Sequence, residues 1–170
     1  MVKIIVFALV SSVAVPSIAQ GVEELDRRNG FKDIKMTSAI SSYEGLEFKK
    51  EVSHDIFIGA KMYVPKKEHY ERIGNLKIHD LQVMTYKDSI YEIRVVTEKD
   101  PNLYKGFKKA FGEPSYSYGS KNYYWTTDNL TLSYGSHSKS KIEMIYFSHL
   151  MVKRVKEEKK QVVEDIVNDF

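Results

Sequence analysis

The sequence predicts an α+β fold: an antiparallel sheet built from two units, each a helix followed by three strands, with the helices on one face and a C-terminal helix. Three observations support this prediction. Apolar residues alternate with polar ones in several short segments, as in half-buried strands. Short turns join these segments, which favours antiparallel pairing. Two other segments, Asn102–Phe111 and Leu150–Phe170, have the apolar spacing of amphipathic helices.

The first 19 residues are typical of an export signal. Lys3 precedes the apolar run Ile4–Val15, and Ser17-Ile18-Ala19 offers the small residues that a signal peptidase recognises. The apolar run is shorter than the roughly 20 residues that span the bilayer core. We therefore expect a signal peptide over residues 1–19, one domain over residues 20–170 without a transmembrane segment, and a periplasmic or extracellular protein.

The composition excludes several classes of function. The chain has no cysteine, and therefore no disulfide, thiolate metal ligand, thiol nucleophile or lipid-modified cysteine. The formal net charge of +3 falls to +2 without Lys3, and the lysines are scattered, so we expect no nucleic-acid partner. Nucleotide-binding glycine motifs and nucleophile elbows are absent from the sequence. We expect no cofactor and no catalytic residue.

Residues 20–28 are polar and predict a loose lead-in or one helical turn. Unit one follows, over about residues 31–97. Phe31–Met36 is half apolar and indicates an edge strand. A short helix is expected from Thr37 or Ser38 to about residue 42, because either hydroxyl group can accept from the free N–H groups of its first turn.

The strands of unit one begin with Asp55–Val64, which alternates without interruption and predicts one face made by the five residues Ile56, Ile58, Ala60, Met62 and Val64. The alternation changes phase at His79-Asp80, which indicates a bulge or a break between two strands. A tight turn at Lys87-Asp88-Ser89 leads to the last strand of the unit.

Unit two covers about residues 98–149. Its helix begins near Pro101, which is suited to a first helical turn, and ends before Gly112. Asp128-Asn129 is a two-residue hairpin turn, since both residues tolerate positive φ. Gly135–Lys141 is expected to be a polar loop. The three predicted strands are Asn122–Thr127, Leu130–Tyr134 and Ile142–Ser148, and the C-terminal helix covers residues 150–170.

Aromatic residues are dense in unit two and provide the candidate binding site. Large rings on a strand or loop can form a surface for a partner protein or a sugar, at a low cost in conformational entropy. The alternative is that these rings are ordinary core and cross-strand residues. The consecutive Tyr123-Tyr124-Trp125 must in either case place rings on both faces of the sheet. The candidates are Tyr116, Tyr118, Tyr123, Tyr124, Trp125 and Tyr134.

Two other functions compete with binding through these rings. The pairs His54-Asp55 and His79-Asp80 carry side chains that suit zinc or iron, which would indicate a metal-dependent envelope hydrolase. No close-spaced histidine motif accompanies them, so strand-end polar residues are the simpler interpretation. A structural subunit that assembles through its C-terminal helix is the third interpretation.

The residues Phe111-Gly112-Glu113-Pro114, Tyr124-Trp125 and the strand Leu130–Tyr134 resemble those of small uncharacterised exported bacterial proteins. The order of a helix followed by a meander is similar to the tandem αβ units of β-lactamase-inhibitor-protein-like domains and outer-membrane assembly lipoproteins. That resemblance implies a protein that binds other proteins. The sequence as a whole thus predicts a non-catalytic binding protein whose partner is another protein or a cell-envelope component.

Overall fold

The computed structural model describes residues 21–54 and 56–170, with only the main chain of His54. The predicted signal peptide and Asp55 lie outside the described residues. The elements in chain order are α1 Glu23–Arg28, β1 Gly30–Phe31, β2 Ile34–Lys35, a 3₁₀ helix Ile40–Ser42, β3 Leu46–His54, β4 Phe57–Pro65, β5 Arg72–Ile73, β6 Leu76–Tyr86, β7 Ser89–Glu98, α2 Pro101–Phe111, β8 Ser115–Ser117, β9 Asn122–Thr126, β10 Leu130–Ser138, β11 Lys141–Ser148 and α3 His149–Asn168.

One large antiparallel sheet organises the fold, in the order β3-β4-β6-β7-β11-β10-β9-β8. Strands β3, β4, β6 and β7 form one meander, and β8 to β11 form a second. Strand β7 pairs with β11 from Glu92↔Phe147 to Glu98↔Lys141, which joins the two meanders at the centre of the sheet. The predicted α+β fold with an antiparallel sheet and a C-terminal helix is confirmed.

Each meander has four strands, whereas the sequence predicted three. The two additional strands, β3 and β8, are the edge strands of the sheet. Most residues of β3 are exposed, so its sequence lacks the alternation that marks a half-buried strand. Strand β8 has only three residues, which is too short for any periodicity to be recognised. A 3₁₀ helix, with no side-chain cap, replaces the predicted helix of unit one.

The predicted face of β4 is wrong at Ile58, which is 69% exposed, while its neighbour Phe57 is buried. Gly59, which lies between Ile58 and Ala60, has φ +75°. This left-handed conformation changes which side chains of β4 share a face. At His79-Asp80 the structure contains a bulge, since the register with β7 shifts between Ile78 and Asp80 within the continuous strand β6.

The hairpin turns agree with the sequence in position and differ in detail. Lys87 and Asp88 both have positive φ, 46° and 68°, as expected of a tight two-residue hairpin. The turn at Asp128-Asn129 instead uses Thr127, whose side-chain oxygen accepts from the N–H groups of Asn129 and Leu130. The expected loop Gly135–Lys141 is wrong, because β10 continues to Ser138 and β11 begins at Lys141.

Helices cover both faces of the sheet. Helix α2 packs on the first face with α1, over a core that includes Leu81, Ile93, Leu132 and Met144. The first half of α3 covers the second face, where its Met151 and Val155 join a separate cluster. Other members of that cluster are Phe57, Ala60, Met84 and Tyr91. The expectation of helices on one face therefore holds for α2 and not for α3. Among the described residues, no helix is both long and apolar enough to cross a membrane.

Trp125 fixes α2 to the sheet. Its side chain is 1% exposed, and its Nε1–H donates to the carbonyl oxygen of Gly112 over 2.8 Å. Gly112 ends α2 with φ +81°, which glycine adopts without the steric cost of a side chain. The rings of Phe107 and Phe111 lie 5.7 and 6.3 Å from that of Trp125, so the indole is enclosed by the helix.

In helix α1 one carboxylate forms ion pairs with two arginines. The Glu24 carboxylate, which is largely buried, accepts from Arg27 over 2.5 Å and from Arg28 over 2.7 Å. The hydrogen bond from Arg27 and then that from Arg28 lower the pKa of Glu24 to about 2. The carboxylate therefore stays charged over the whole range in which most proteins are stable.

We expect Trp125→Ala to lower the free energy of unfolding by about 3–5 kcal/mol, because it leaves a cavity and removes the bond to Gly112. Tyr118→Ala, at a ring that is 88% exposed, is the matched control and should change stability by less than about 0.5 kcal/mol. Urea unfolding followed by far-UV circular dichroism measures both values. A loss below about 1 kcal/mol for Trp125→Ala would contradict the role given to this side chain.

The lowered pKa of Glu24 predicts a contribution to acid stability. A carboxyl group whose pKa is lower in the folded protein stabilises it above the unfolded value of about 4.5, and this stabilisation is lost as the pH falls towards about 2. We expect Glu24→Gln to be less stable than the native chain at pH 6 and to lose less stability between pH 5 and pH 2. Parallel pH dependences for the two proteins would refute the prediction.

Candidate functional site

The predicted aromatic residues occupy three different environments. Trp125 and Tyr134 are buried in the core on the first face, so neither side chain can contact a partner directly. Tyr124 points to the opposite face from its neighbours and is half-buried, with its hydroxyl 2.9 Å from that of Ser120. The remaining three, Tyr116, Tyr118 and Tyr123, lie together at the β8 edge of the sheet, and we call them the tyrosine edge.

The tyrosine edge is a series of rings in contact. Tyr116 on β8 pairs in register with Tyr123 on β9, and their ring centroids are 4.9 Å apart. Tyr118, in the turn after β8, packs edge-on against Tyr116 at 5.1 Å. Both separations fall within the range of favourable aromatic pairs. Tyr116 is 42% exposed and Tyr118 is 88% exposed, so the edge presents two rings to solvent.

Helix α2 supports the tyrosine edge from below. The ring of Tyr104 lies 4.8 Å from Tyr123, 5.7 Å from Tyr134 and 6.2 Å from Trp125, so ring contacts run without a gap from the exposed Tyr118 to the buried indole. Burial raises the pKa of both Tyr104 and Tyr134 above the usual tyrosine value. Both hydroxyl groups therefore stay neutral at physiological pH, and the support carries no buried charge.

Sequence reasoning missed Tyr104 as part of the site. The helical spacing of Tyr104, Phe107 and Phe111 assigned these rings to the buried side of α2, and the first two are in fact half-buried. Periodicity within one helix cannot show which strand a ring will touch. The detectable signal was the coincidence of an aromatic helix face with an aromatic strand in the same unit.

A charged group on the second face was also absent from the sequence analysis. Arg94, at the centre of β7, lies 3.3 Å from a carboxylate oxygen of Glu143 and 3.5 Å from one of Glu92, and His137 lies 3.4 Å from Glu143. The buried Nε of Arg94 has no hydrogen-bond partner in the described part of the chain. These residues come from three strands, so only the sheet register brings them together. The group can hold the strands in register electrostatically, and it offers no nucleophile.

An open cleft of about 550 Å³ lies between the segment after β4 and the start of β6. The Tyr70 hydroxyl beside it donates to Asp33 over 3.0 Å, and burial, followed by this bond, raises the pKa of Tyr70 to about 12. His79 lies 3.8 Å from Glu98. Side chains lining the cleft include Lys66, Lys67, His69, Arg72 and Lys77. The acidic Glu68, Glu71 and Asp80 lie among these side chains. Because the cleft carries charges of both signs, it favours neither an anion nor a cation.

The two histidines of the predicted His-Asp pairs lie far apart. His54 pairs with Phe57 where β3 turns into β4, whereas His79 lies beyond the other end of the β4–β6 pairing, which is centred on Met62↔Met84. At about 3.3 Å per residue, and allowing for the bulges in these strands, the two histidine backbones are roughly 25–30 Å apart. Asp55 lies outside the described residues. Within the described residues, no three His, Asp or Glu side chains are grouped as metal ligands would be.

No protein-family model, no curated protein and no solved structure matches this chain. The resemblance in element order to tandem αβ binding domains therefore stays a prediction.

We expect purified protein, produced from the full chain, to contain zinc and iron far below one atom per chain by elemental analysis. The separation of His54 from His79 is the physical reason, since metal ligands must lie within about 2.0–2.3 Å of a common centre. Added zinc should leave the unfolding temperature unchanged. Stoichiometric metal that is lost in both His54→Ala and His79→Ala would overturn this expectation.

Proposed function

We propose that this chain is an exported, non-catalytic binding protein that recognises another protein through the tyrosine edge. The observation that carries the proposal is the pair of solvent-exposed rings of Tyr116 and Tyr118, 5.1 Å apart and supported by ring contacts that reach the core. Tyrosine is enriched at protein interfaces, where its ring contributes a large contact area and its hydroxyl a hydrogen bond.

The rigidity of the tyrosine edge favours binding. A side chain that is already ordered loses little conformational entropy when a partner binds, and this entropy costs about 0.5–1.5 kcal/mol for each flexible side chain. Tyr123 is held between Tyr116 and Tyr104, at 4.9 and 4.8 Å. The exposed Tyr116 therefore rests on a fixed neighbour, as interface residues that contribute most of the binding energy commonly do.

The position of the tyrosine edge at the end of the sheet favours an extended partner segment. Strand β8 pairs with β9 on one side, and no described strand lies on its other side. Unpaired main-chain groups at a sheet edge can accept a strand from another protein, while side chains beside them determine specificity. We infer that a partner lies along β8 and contacts both tyrosine rings.

The proposal requires β8 to accept a partner strand more readily than β3, and the charges of the two edge strands differ accordingly. We infer that the two four-strand meanders are tandem copies of one unit, since β7 and β11 are the last strand of each and pair at the centre. Strand β3 is then the counterpart of β8. Charged side chains blunt β3 against pairing: Glu47, Lys49, Lys50 and Glu51 are all exposed. Strand β8 has no charged residue.

The test begins with affinity capture from envelope extract and culture medium, followed by identification of the captured protein and calorimetric titration of the purified pair. We expect Tyr116→Ala/Tyr118→Ala to weaken binding by at least about tenfold, because truncation of central aromatic residues costs about 2 kcal/mol or more. Tyr116→Phe/Tyr118→Phe keeps both rings and should lose less.

Phe48→Ala is the matched control. Phe48 is an aromatic residue that is 53% exposed on β3, at the opposite edge of the sheet, so its removal should leave affinity unchanged. Equal affinities for the native chain and the double alanine variant would refute the tyrosine edge as the site. Variant-sensitive binding of a purified envelope polysaccharide, with no captured protein, would instead assign these rings to sugar recognition.

A further inference from the structure

Lysines surround the tyrosine edge, and few acids offset them. The segment 101–127, which comprises α2, β8 and β9, contains one acidic residue, Glu113, and four lysines, which we call the lysine border: Lys105, Lys108, Lys109 and Lys121. The Glu113 carboxylate lies 2.7 Å from the Nζ of Lys108, and the Asp100 carboxylate, just before α2, accepts from the N–H of Asn102 over 2.7 Å. Both acids are therefore already engaged, and the surface around the exposed rings has an excess of positive charge.

Lys121 lies at the turn that ends the tyrosine edge. Its N–H donates to the carbonyl oxygen of Ser117 over 2.8 Å, which closes the turn between β8 and β9. Tyr118 is in the same turn, and the two ends of such a turn are within about 7 Å of each other. The side chain of Lys121 is exposed and has no ion pair within the described part of the chain. A partner that contacts the Tyr118 ring therefore also comes close to this free charge.

Helix α2 supplies the other three lysines of the border. The Nζ of Lys108 lies 5.9 Å from the ring centroid of Tyr104, which contacts Tyr123 of the tyrosine edge. Successive residues of a helix are about 100° apart, so Lys105 and Lys109 follow Lys108 around the exposed surface within an arc of about 100°. Lys105 adjoins Tyr104 in the chain, so it lies at the level of α2 that supports the tyrosine edge.

The short length of β8 gives these charges a role in selecting the partner. The strand has only three residues, so a segment that pairs with it forms few main-chain hydrogen bonds, and each of these contributes little net free energy. Affinity and specificity must then come mainly from side chains beside the strand. Those available are the exposed tyrosine rings and the lysine border.

We propose that the segment that lies along β8 is acidic: an extended stretch of a partner protein that presents Asp or Glu side chains to the lysine border. Every second residue of that segment would face the rings, because side chains of a strand alternate between its two faces. A carboxylate on this face can accept hydrogen bonds from the hydroxyl groups of Tyr116 and Tyr118 as well as from a lysine. This inference rests on the proposed function, since it specifies the partner of the same edge.

The opposite edge of the sheet does not offer this charge pattern. The exposed charges of β3 are of both signs: Glu47, Lys49, Lys50 and Glu51. An acidic segment at β3 would meet carboxylates as well as lysines, and like charges placed together suppress binding of the wrong partner. The edge also favours a polypeptide over an acidic polysaccharide, which has no ladder of N–H and C=O groups to pair with a strand.

Peptide selection tests the inference before the natural partner is known. Phage-displayed random peptides of about 12 residues, long enough to extend past β8, are panned in parallel against the native protein and Tyr116→Ala/Tyr118→Ala. We expect the peptides retained by the native protein alone to be enriched in Asp and Glu and depleted in Lys and Arg, relative to the unselected library. Proline should be rare at their centre, because it has no N–H to donate to a strand.

Fluorescence anisotropy of the most enriched peptide, synthesised with a dye, then measures affinity. Lys105→Gln/Lys121→Gln should weaken its binding about three- to tenfold, because two surface charge pairs are lost. Lys49→Gln/Lys50→Gln removes the same charge from β3 and is the matched control, which should change affinity by less than about twofold. Raising the salt concentration from about 50 to 500 mM should weaken binding to the native chain more than to the first variant.

Four outcomes would overturn the inference. Peptides that need Tyr116 and Tyr118 but show no excess of Asp and Glu would refute the acidic segment and leave the tyrosine edge in place. Acidic peptides that bind the double alanine variant equally well would refute the tyrosine edge as their site. Equal losses for the two lysine variants would show a dependence on overall charge alone. Heparin binding that needs Lys105 and Lys121, with no peptide retained, would assign the lysine border to an acidic polysaccharide.

Discussion

The pairing of β7 with β11 is the constraint on which the other parts of this structure depend. These two central strands carry apolar side chains on both faces: Ile93 and Met144 belong to the first core cluster, Tyr91 belongs to the second, and the half-buried Phe147 packs against the second. A sheet that is apolar on both faces needs two covering layers. Helix α2 and α1 supply one layer, and the first half of α3 supplies the other. The position of the tyrosine edge follows from this division.

The first layer explains why the exposed tyrosines are held in place. Trp125 connects α2 to β9 through its bond to Gly112, and Tyr104 on the same helix contacts Tyr123 at the edge. Packing within the core is dense, so rings that rest on it have little freedom to reorient. Trp125 therefore links the stability of the fold to the support of the proposed binding surface. Substitution of this residue to probe binding would disturb the support of the tyrosine edge as well as the fold.

Sequence reasoning was most accurate where the information is local. The bounds of α2 and the turn at Lys87-Asp88 follow from residues adjacent in the chain, and both agree with the structure. It was wrong at Ile58, because a single glycine changed which residues face the core. It also could not separate Trp125 from Tyr116, since both are strand aromatics and only their distance from the sheet edge distinguishes them. The Arg94–Glu143–His137 group was missed because sheet register, which is non-local, creates it.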